Sequence, residues 1–212
     1  QVTWCTAAVC KILVHSNTHK ISLPFPATEI NKLTAGDRIS LNGMLFTARD
    51  AVHKYLANGG RAPCDLTNAV IYHCGPVVTK IDGQHEITAA GPTTSMREEP
   101  YMATLIEKFR FRAVIGKGGM GSKTLEACRS FGCLYLQTVG GAAQVLAATI
   151  KKVDAVYFEE KFGSPEAVWQ LQVCDFPAIV TMDAHGNNLH DKVKRESKQK
   201  RDNILTAVEK GT

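Results

Sequence analysis

Apolar and polar residues alternate in the first half of the chain and take up helical spacing in much of the second. Arg38–Phe46 alternates around Ile39, Leu41 and Leu45, a half-buried strand pattern interrupted by Asn42-Gly43, which favours a hairpin turn. Ala69–His73 is a short apolar run closed by Cys74-Gly75-Pro76. Val77–Lys80 and Glu86–Ala89 flank Asp82-Gly83, a second hairpin signal. Arg49–Asn58 has helical spacing and stops at Gly59-Gly60. From Pro100 onward the pattern predicts helix Pro100–Phe109, strand Arg112–Ile115, helix Ser122–Phe131 closed near Gly132, strand Leu134–Gln137 and helix Ala142–Ala148. Strands Val153–Tyr157, Val168–Val173 and Ala178–Asp183 follow, with a last helix from Leu189 to near Ala207. A β-rich first half and an alternating second half predict an α/β layered domain.

Composition narrows the class without naming a chemistry. The chain has 212 residues, 44% hydrophobic and 21% charged, as expected for a soluble globular protein. No apolar run approaches the ~20 residues of a membrane span. Gln1–Lys20 lacks the charged-then-apolar order of a secretion signal, so a cytoplasmic or organelle-matrix location is expected. The net charge of +5 comes largely from Asp191–Asp202, with Lys192, Lys194, Arg195, Lys198, Lys200 and Arg201. No aromatic residue interleaves with these charges. A solvated helix or tail is therefore expected there, and no nucleic-acid partner. Seven cysteines, an odd number, argue against a disulfide framework. Cys5/Cys10 and Cys128/Cys133 have C-x4-C spacing, and no C-x2-C pair is present, which suits neither zinc nor an iron–sulfur cluster. Cys128 and Cys133 read as small buried apolar residues.

Four groups could carry chemistry. In Gly91-Pro92-Thr93-Thr94-Ser95-Met96-Arg97, two threonine hydroxyls stand behind a Gly-Pro bend and an arginine follows. That set suits a small, oxygen-rich anion, because Arg matches a carboxylate bidentately and hydroxyls add short hydrogen bonds; it equally suits a turn with capping hydroxyls. Gly116-Lys117-Gly118-Gly119-Met120-Gly121 follows a strand and lacks the Walker A spacing. Lys117 there either reaches an anion that backbone N–H groups also contact or is a solvated side chain on a plain connection. Arg49, Asp50 and His53 open a helix, with Arg49 near its N-terminus and His53 about one turn on; a lone helical histidine is more often structural. Asp183, His185 and Asn187 include metal-capable side chains, but their spacing reads as a tight turn after a strand. These groups bind anions and offer no nucleophile and no paired acid and base. They look like half of an active site.

Five motifs in register carry a resemblance. Thr47-Ala48-Arg49-Asp50-Ala51-Val52-His53, Gly91–Arg97, Gly116–Gly121, Val139-Gly140-Gly141-Ala142-Ala143 and Asp183-Ala184-His185-Gly186-Asn187 together resemble the β subunit, or C-terminal domain, of class I iron–sulfur fumarate hydratases. The L(+)-tartrate dehydratase β subunit is similar throughout, and the likeness covers Ile21–Asn188. The resemblance implies a swivelling β/β/α domain over residues 21–190; outside it, residues 1–20 are expected to be an N-terminal extension and residues 191–212 a basic C-terminal helix or tail, neither matched by the family pattern. It implies a hydro-lyase that reversibly adds water to a carbon–carbon double bond. The 4Fe-4S cluster is then expected in an α subunit, none in this chain, within a heteromer. Arg49, Arg97 and Lys117 are expected to bind dicarboxylate oxygens, Thr94 to donate a hydrogen bond to substrate, and Thr93 to stand closest to the proton transfer. Asp50 and His53 are expected to support Arg49. Gly140-Gly141-Ala142-Ala143 and Val168-Trp169 with Asp175-Phe176-Pro177-Ala178 lean toward fumarase, while Met96 and Gly118-Gly119-Met120-Gly121 also occur in the tartrate relatives. A non-catalytic binding domain stays open.

Overall fold

The computed structural model describes residues 18–209, so Cys5, Cys10 and most of the 1–20 extension lie outside the described residues. The elements in chain order are β1 (Thr18–Ser22), α1 (Ala27–Ile30), β2 (Arg38–Thr47), α2 (Asp50–Ala57), β3 (Val70–Tyr72), β4 (Val77–Ile81) and β5 (Gln84–Ala89). A 3-10 turn at Ser95–Glu98 leads into α3 (Glu99–Phe109), then β6 (Ala113–Gly116), α4 (Ser122–Phe131), β7 (Leu134–Gln137), α5 (Ala143–Thr149) and β8 (Ile150–Tyr157). After α6 (Glu159–Phe162) and a 3-10 turn at Ser164–Glu166 come β9 (Val168–Met182) and α7 (Leu189–Glu209). No helix among the described residues is long and apolar enough to cross a membrane.

Five strands close on themselves. β2, β3, β6 and β7 pair in parallel in that order, β9 runs antiparallel to β7, and β9 also pairs antiparallel with β2. The result is a mixed five-stranded barrel, with β1 added beside β2 and β8 beside β9. Side-chain alternation explains why the central strands read as continuous apolar runs. Val70, Tyr72, Ala113, Ile115, Leu134 and Leu136 join one buried core, whereas their neighbours Ile71, Val114 and Tyr135 join a second. The second core is completed by Val52 and Leu56 of α2, Met102, Leu105 and Ile106 of α3, and Ala127 and Cys128 of α4. A strand buried on both faces shows no polar alternation. The α/β reading is correct, and the barrel closure is the feature the element order did not reveal.

Two local readings are corrected. Asn42-Gly43 is not a hairpin turn: β2 runs through it, and the irregularity opposite lies on β9. Between Leu41 and Gly43 the partner strand advances from Phe176 to Val173, so the extra residue belongs to the Cys174-Asp175 stretch, where Asp175 has φ 54. This bulge also explains why Val168–Val173 and Ala178–Asp183 look like two strands when they belong to one. Trp169, Leu171 and Val173 face the first core, and beyond the bulge Phe176, Ala178 and Val180 face it, so the alternation changes phase in mid-strand. Asp175 holds the bulge by accepting from Ser40 Oγ at 2.9 Å, and its N–H donates to Asn42 Oδ1 at 2.9 Å. The other hairpin stands as read: Asp82 and Gly83, with φ 50 and 79, join β4 to β5 in the twist that two-residue hairpins favour.

β1 has no counterpart in the sequence pattern; it pairs in parallel with the start of β2 and buries Ile21. At the other end, α7 carries the basic run on an exposed helix.

Candidate functional site

The four parallel strands end at one edge of the barrel, and each releases a loop there. Ala48-Arg49 follows β2, His73-Cys74 follows β3, Lys117 follows β6 and Thr138 follows β7. Backbone bonds lock the ends together: Ala48 N–H donates to Tyr72 O at 3.0 Å, His73 N–H to Ile115 O at 2.8 Å, and Thr138 N–H to Gly116 O at 3.0 Å. The Pro92–Ser95 segment crosses this edge. Thr93 N–H donates to His73 O at 2.7 Å, Ser95 N–H to Lys117 O at 3.0 Å, and Thr94 bridges to Lys117. Thr93 and Thr94 are thereby held between the ends of β3 and β6, the position where α/β sheets bind ligands. Gly116 makes the crossing possible, because a Cβ there would stand 1.8 Å from Ser95 Oγ. Thr94 precedes the 3-10 turn without capping it through its side chain. Thr94 therefore does not fill the capping role that composition allowed it.

Three cations, Arg49, Arg97 and Lys117, are carried by the segments that meet at this edge. Arg49 Nε lies 3.3 Å from Glu166 Oε1, and Glu166 Oε2 accepts from Ala51 N–H at 3.0 Å. Arg97 pairs with Asp50 Oδ2, and its side chain is 55% exposed. Lys117 has no acidic partner among the described residues, and its Cδ lies 3.4 Å from where a Cβ on Gly140 would stand. The support expected for Arg49 is distributed differently: Glu166 holds Arg49, Asp50 holds Arg97, and His53 turns to Glu98. A hydrogen bond with Glu98 is the largest influence holding the Asp50 carboxyl low, followed by the Arg97 and then the Arg49 charge, against burial. Asp50 thus stays ionised between two guanidinium groups.

Behind this layer the polar groups are dry. His53 Nδ1 lies 2.8 Å from Glu98 Oε2, with both residues buried, and His73 Nδ1 lies 2.9 Å from Ser95 Oγ. The two imidazoles meet edge to face at 5.1 Å. Burial pushes Glu98 up to about 9, helped by the Asp50 and Glu166 carboxylates, and presses His53 down to about 3. At neutral pH the pair is two hydrogen-bonded neutral groups, not a salt bridge.

The sequence matches the Fumarase C-terminus family over residues 8–193. The chain belongs to that family. It is 51% identical over 188 residues to a protein of Geobacillus stearothermophilus provisionally named a class I fumarate hydratase, covering 87% of this chain and 36% of that protein. It is 37% identical to the L(+)-tartrate dehydratase subunit beta of Escherichia coli K12, covering 89% of this chain and 94% of the relative. A Methanocaldococcus jannaschii protein provisionally named for the same subunit is 38% identical over 182 residues. The chain therefore spans about a third of the first relative's length and nearly all of the others'. These relatives carry the names of hydro-lyases.

Among the described residues, this fumarase C-terminal domain gathers no set of thiolates suited to an iron–sulfur cluster. Its free cysteines among the described residues are Cys64, Cys74, Cys128, Cys133 and Cys174. No three His, Cys, Asp or Glu side chains among the described residues group as a metal site. Cys128 and Cys133 are buried, as expected, and burial pushes the Cys74 thiol up to about 12. An iron–sulfur cluster needs three or four accessible thiolates in one place. Asp183 is also spoken for: Oδ1 accepts from the N–H groups of His185 and Asn187, and Oδ2 from Ala35 N–H, so the motif is the tight turn that its spacing suggested.

Sequence reasoning passed over four groups at this edge: Glu98, Glu99, Glu166 and His73. Glu98 and Glu99 are neighbours in sequence, yet the two diverge in the fold. Glu99 Oε2 accepts from Gly121 N–H at 2.8 Å and Thr124 Oγ1 at 2.6 Å, and Oε1 from Lys123 N–H at 3.2 Å. It caps α4 from outside and secures the end of the Lys117 loop. Glu99→Ala is expected to cost about 1–2 kcal/mol, the usual loss for an N-cap, measured as a lower urea midpoint at unchanged slope.

Proposed function

We propose that this chain is the β component of a hydro-lyase that reversibly adds water to fumarate to give malate, and that it supplies the dicarboxylate-binding half of the active site. The observation that carries the reading is the convergence of the segments bearing Arg49, Thr93, Thr94, Arg97 and Lys117 at the carboxyl ends of four parallel strands. A substrate with two carboxylates needs fixed cations at two places, and separate loops supply them here. Arg97 offers its fork to one carboxylate, with Asp50 setting its direction. Lys117 and Arg49 take the remaining oxygens, and Thr94 donates a hydrogen bond. Thr93 stands nearest the carbon that gains or loses a proton. A threonine hydroxyl moves a proton only where cations and a carboxylate base favour its alkoxide, and the cations are on this chain.

The missing groups belong to a cluster-bearing α subunit in this reading. The 4Fe-4S cluster supplies a Lewis acid there, and no residue described here is asked to hold it. The exposed Thr94, Met96 and Arg97 and the exposed Val139 leave the site open on one side, as half of a shared site would be. Fumarate is favoured by the 51% identity to the fumarase-named relative against 37% to the tartrate dehydratase subunit beta. Tartrate dehydration is the second reading, supported by that second likeness across 89% of the chain.

The test is co-expression with a candidate α subunit, cluster reconstitution without oxygen, and absorbance measured with malate and then with L-tartrate. Fumarate formed from malate only when both components are present is the expected result. Turnover of tartrate instead moves the chain to the sister activity. No turnover and no association would leave a binding domain without the chemistry.

A further inference from the structure

Glu98 shares its 3-10 turn with Arg97 and is fully buried directly behind it. Its Oε2 faces His53 Nδ1, while Oε1 is buried with no aligned partner. Asp50 repeats the arrangement: Oδ2 pairs with Arg97, and Oδ1 is buried with no aligned partner. The 3-10 turn packs against α2, and a hydrogen bond between the two carboxyl groups lowers Asp50 and raises Glu98. Two buried carboxyl oxygens that share a hydrogen bond need a proton between them, since an ionised carboxylate only accepts.

That requirement selects one proton arrangement. If Glu98 donated to His53 Nδ1, the Asp50 and Glu98 oxygens would oppose each other with no donor. If Glu98 donates to Asp50 Oδ1 and His53 donates its Nδ1–H to Glu98 Oε2, all three contacts are matched. The surrounding charges agree. Asp50 comes from α2, and Glu166 from the turn before β9; both are carboxylates that oppose a charge on Glu98. Arg97 on its own turn is the cation that favours one, with Arg49 at the start of α2 engaged by Glu166. His53 and His73 are buried and neutral, and Glu99 is turned to α4.

We propose that Glu98 is a positioning residue that works as a carboxylic acid: it donates a hydrogen bond to Asp50 and so fixes the carboxylate that aims Arg97 at the dicarboxylate. The proposal rests on the reading of Arg97 as a substrate-binding residue. It gives substrate binding an alkaline limit. Once Glu98 loses its proton, two carboxylates face each other, Asp50 is displaced, and Arg97 loses its anchor. Glu98→Gln keeps the planar head, an acceptor for His53 and a donor for Asp50, and cannot titrate. Glu98→Leu removes both bonds.

The test pairs spectroscopy on the full protein with kinetics on the reconstituted complex. Infrared difference spectra at neutral pH should show the C=O stretch of a protonated carboxyl that disappears in Glu98→Gln. With malate, wild-type kcat/KM should fall about tenfold per pH unit on the alkaline side, through a rise in KM. Glu98→Gln should match the wild type at neutral pH and lose that limb, and Glu98→Leu should show a KM raised about 10-fold or more throughout, the effect of a misplaced charged contact. Turnover without the carboxyl band would overturn the neutral Glu98. A Gln variant as impaired as the Leu variant, or one that keeps the alkaline limb, would overturn the positioning role, and this comparison with the wild type holds even if the Leu variant does not fold. The band without turnover of either malate or tartrate would sink the functional reading and the positioning role with it, while leaving the protonated Glu98 standing.

Discussion

Arg97→Ala is expected to lower kcat/KM of the reconstituted complex by about a hundredfold to a few thousandfold, while the fold stays intact. The asymmetry follows from where the guanidinium sits. In the free chain it is 55% exposed and pairs with a partly exposed Asp50, and exposed pairs contribute about 0–1 kcal/mol to stability. Against a dicarboxylate, in a site closed by a partner, the same fork meets a desolvated charge. Removing one member of such a pair costs about 3–5 kcal/mol, and each 1.36 kcal/mol is a factor of ten in rate. Arg97→Lys should recover only part of the loss, because an ammonium cannot match both carboxylate oxygens or keep the Asp50 contact at the same reach. Steady-state kinetics beside a thermal melt separates the two effects. Near-normal turnover in Arg97→Ala would remove Arg97 from the site and with it the central support for the dicarboxylate reading.

The parts of the fold and site legible in the sequence are those set by neighbours along the chain. Asp82-Gly83 makes its own hairpin, because the turn type demands two positive φ values that this dipeptide adopts cheaply. Asn42-Gly43 carries the same signal and makes none, because β2 is held across it by β9 on one side and β1 on the other. Long-range pairing overrode a local preference there. β9 reads as two strands for a related reason, since a bulge shifts the alternation and a sequence pattern has no means to tell a shifted phase from a new strand. In the site, Thr93, Thr94 and Arg97 are legible because seven consecutive residues hold them. Their meeting with Arg49 and Lys117 comes from strand order alone: β2, β3 and β6 are adjacent and parallel, so the loops that follow them converge. Glu166 reaches Arg49 across 117 positions with no local signal. Glu98 was hidden by its company. Next to Glu99 and ahead of Pro100 it reads as helix-start polarity, and only the packing of α2 against the 3-10 turn puts one carboxyl in the dry interior and the other on α4.

The same buried cluster is expected to make stability depend on pH in opposite senses. His53 titrates near 6.5 when unfolded and is held down to about 3 in the fold, chiefly by burial, with Asp50 opposing. His73 is also held well below its ordinary value, by burial and then by His53. Below about 6.5 the unfolded chain binds protons that the folded chain refuses. Each histidine therefore contributes stability that is present above that pH and lost as pH falls, at up to about 1.4 kcal/mol per pH unit. Glu98 has the reverse sign. Its folded value of about 9 lies above the ordinary 4.5, so the folded chain binds the extra proton between those limits and stability falls as pH rises. Between about 6.5 and about 4.5, Glu98 offsets one of the two histidines. Glu98→Gln removes that offset. The variant should be more stable than the wild type by about 3 kcal/mol at pH ~7, and its loss on acidification should be about twice as steep. Urea denaturation across a pH series measures both quantities. Parallel profiles for the two proteins would mean that Glu98 is ionised in the fold, and that the proton between it and Asp50 is not there.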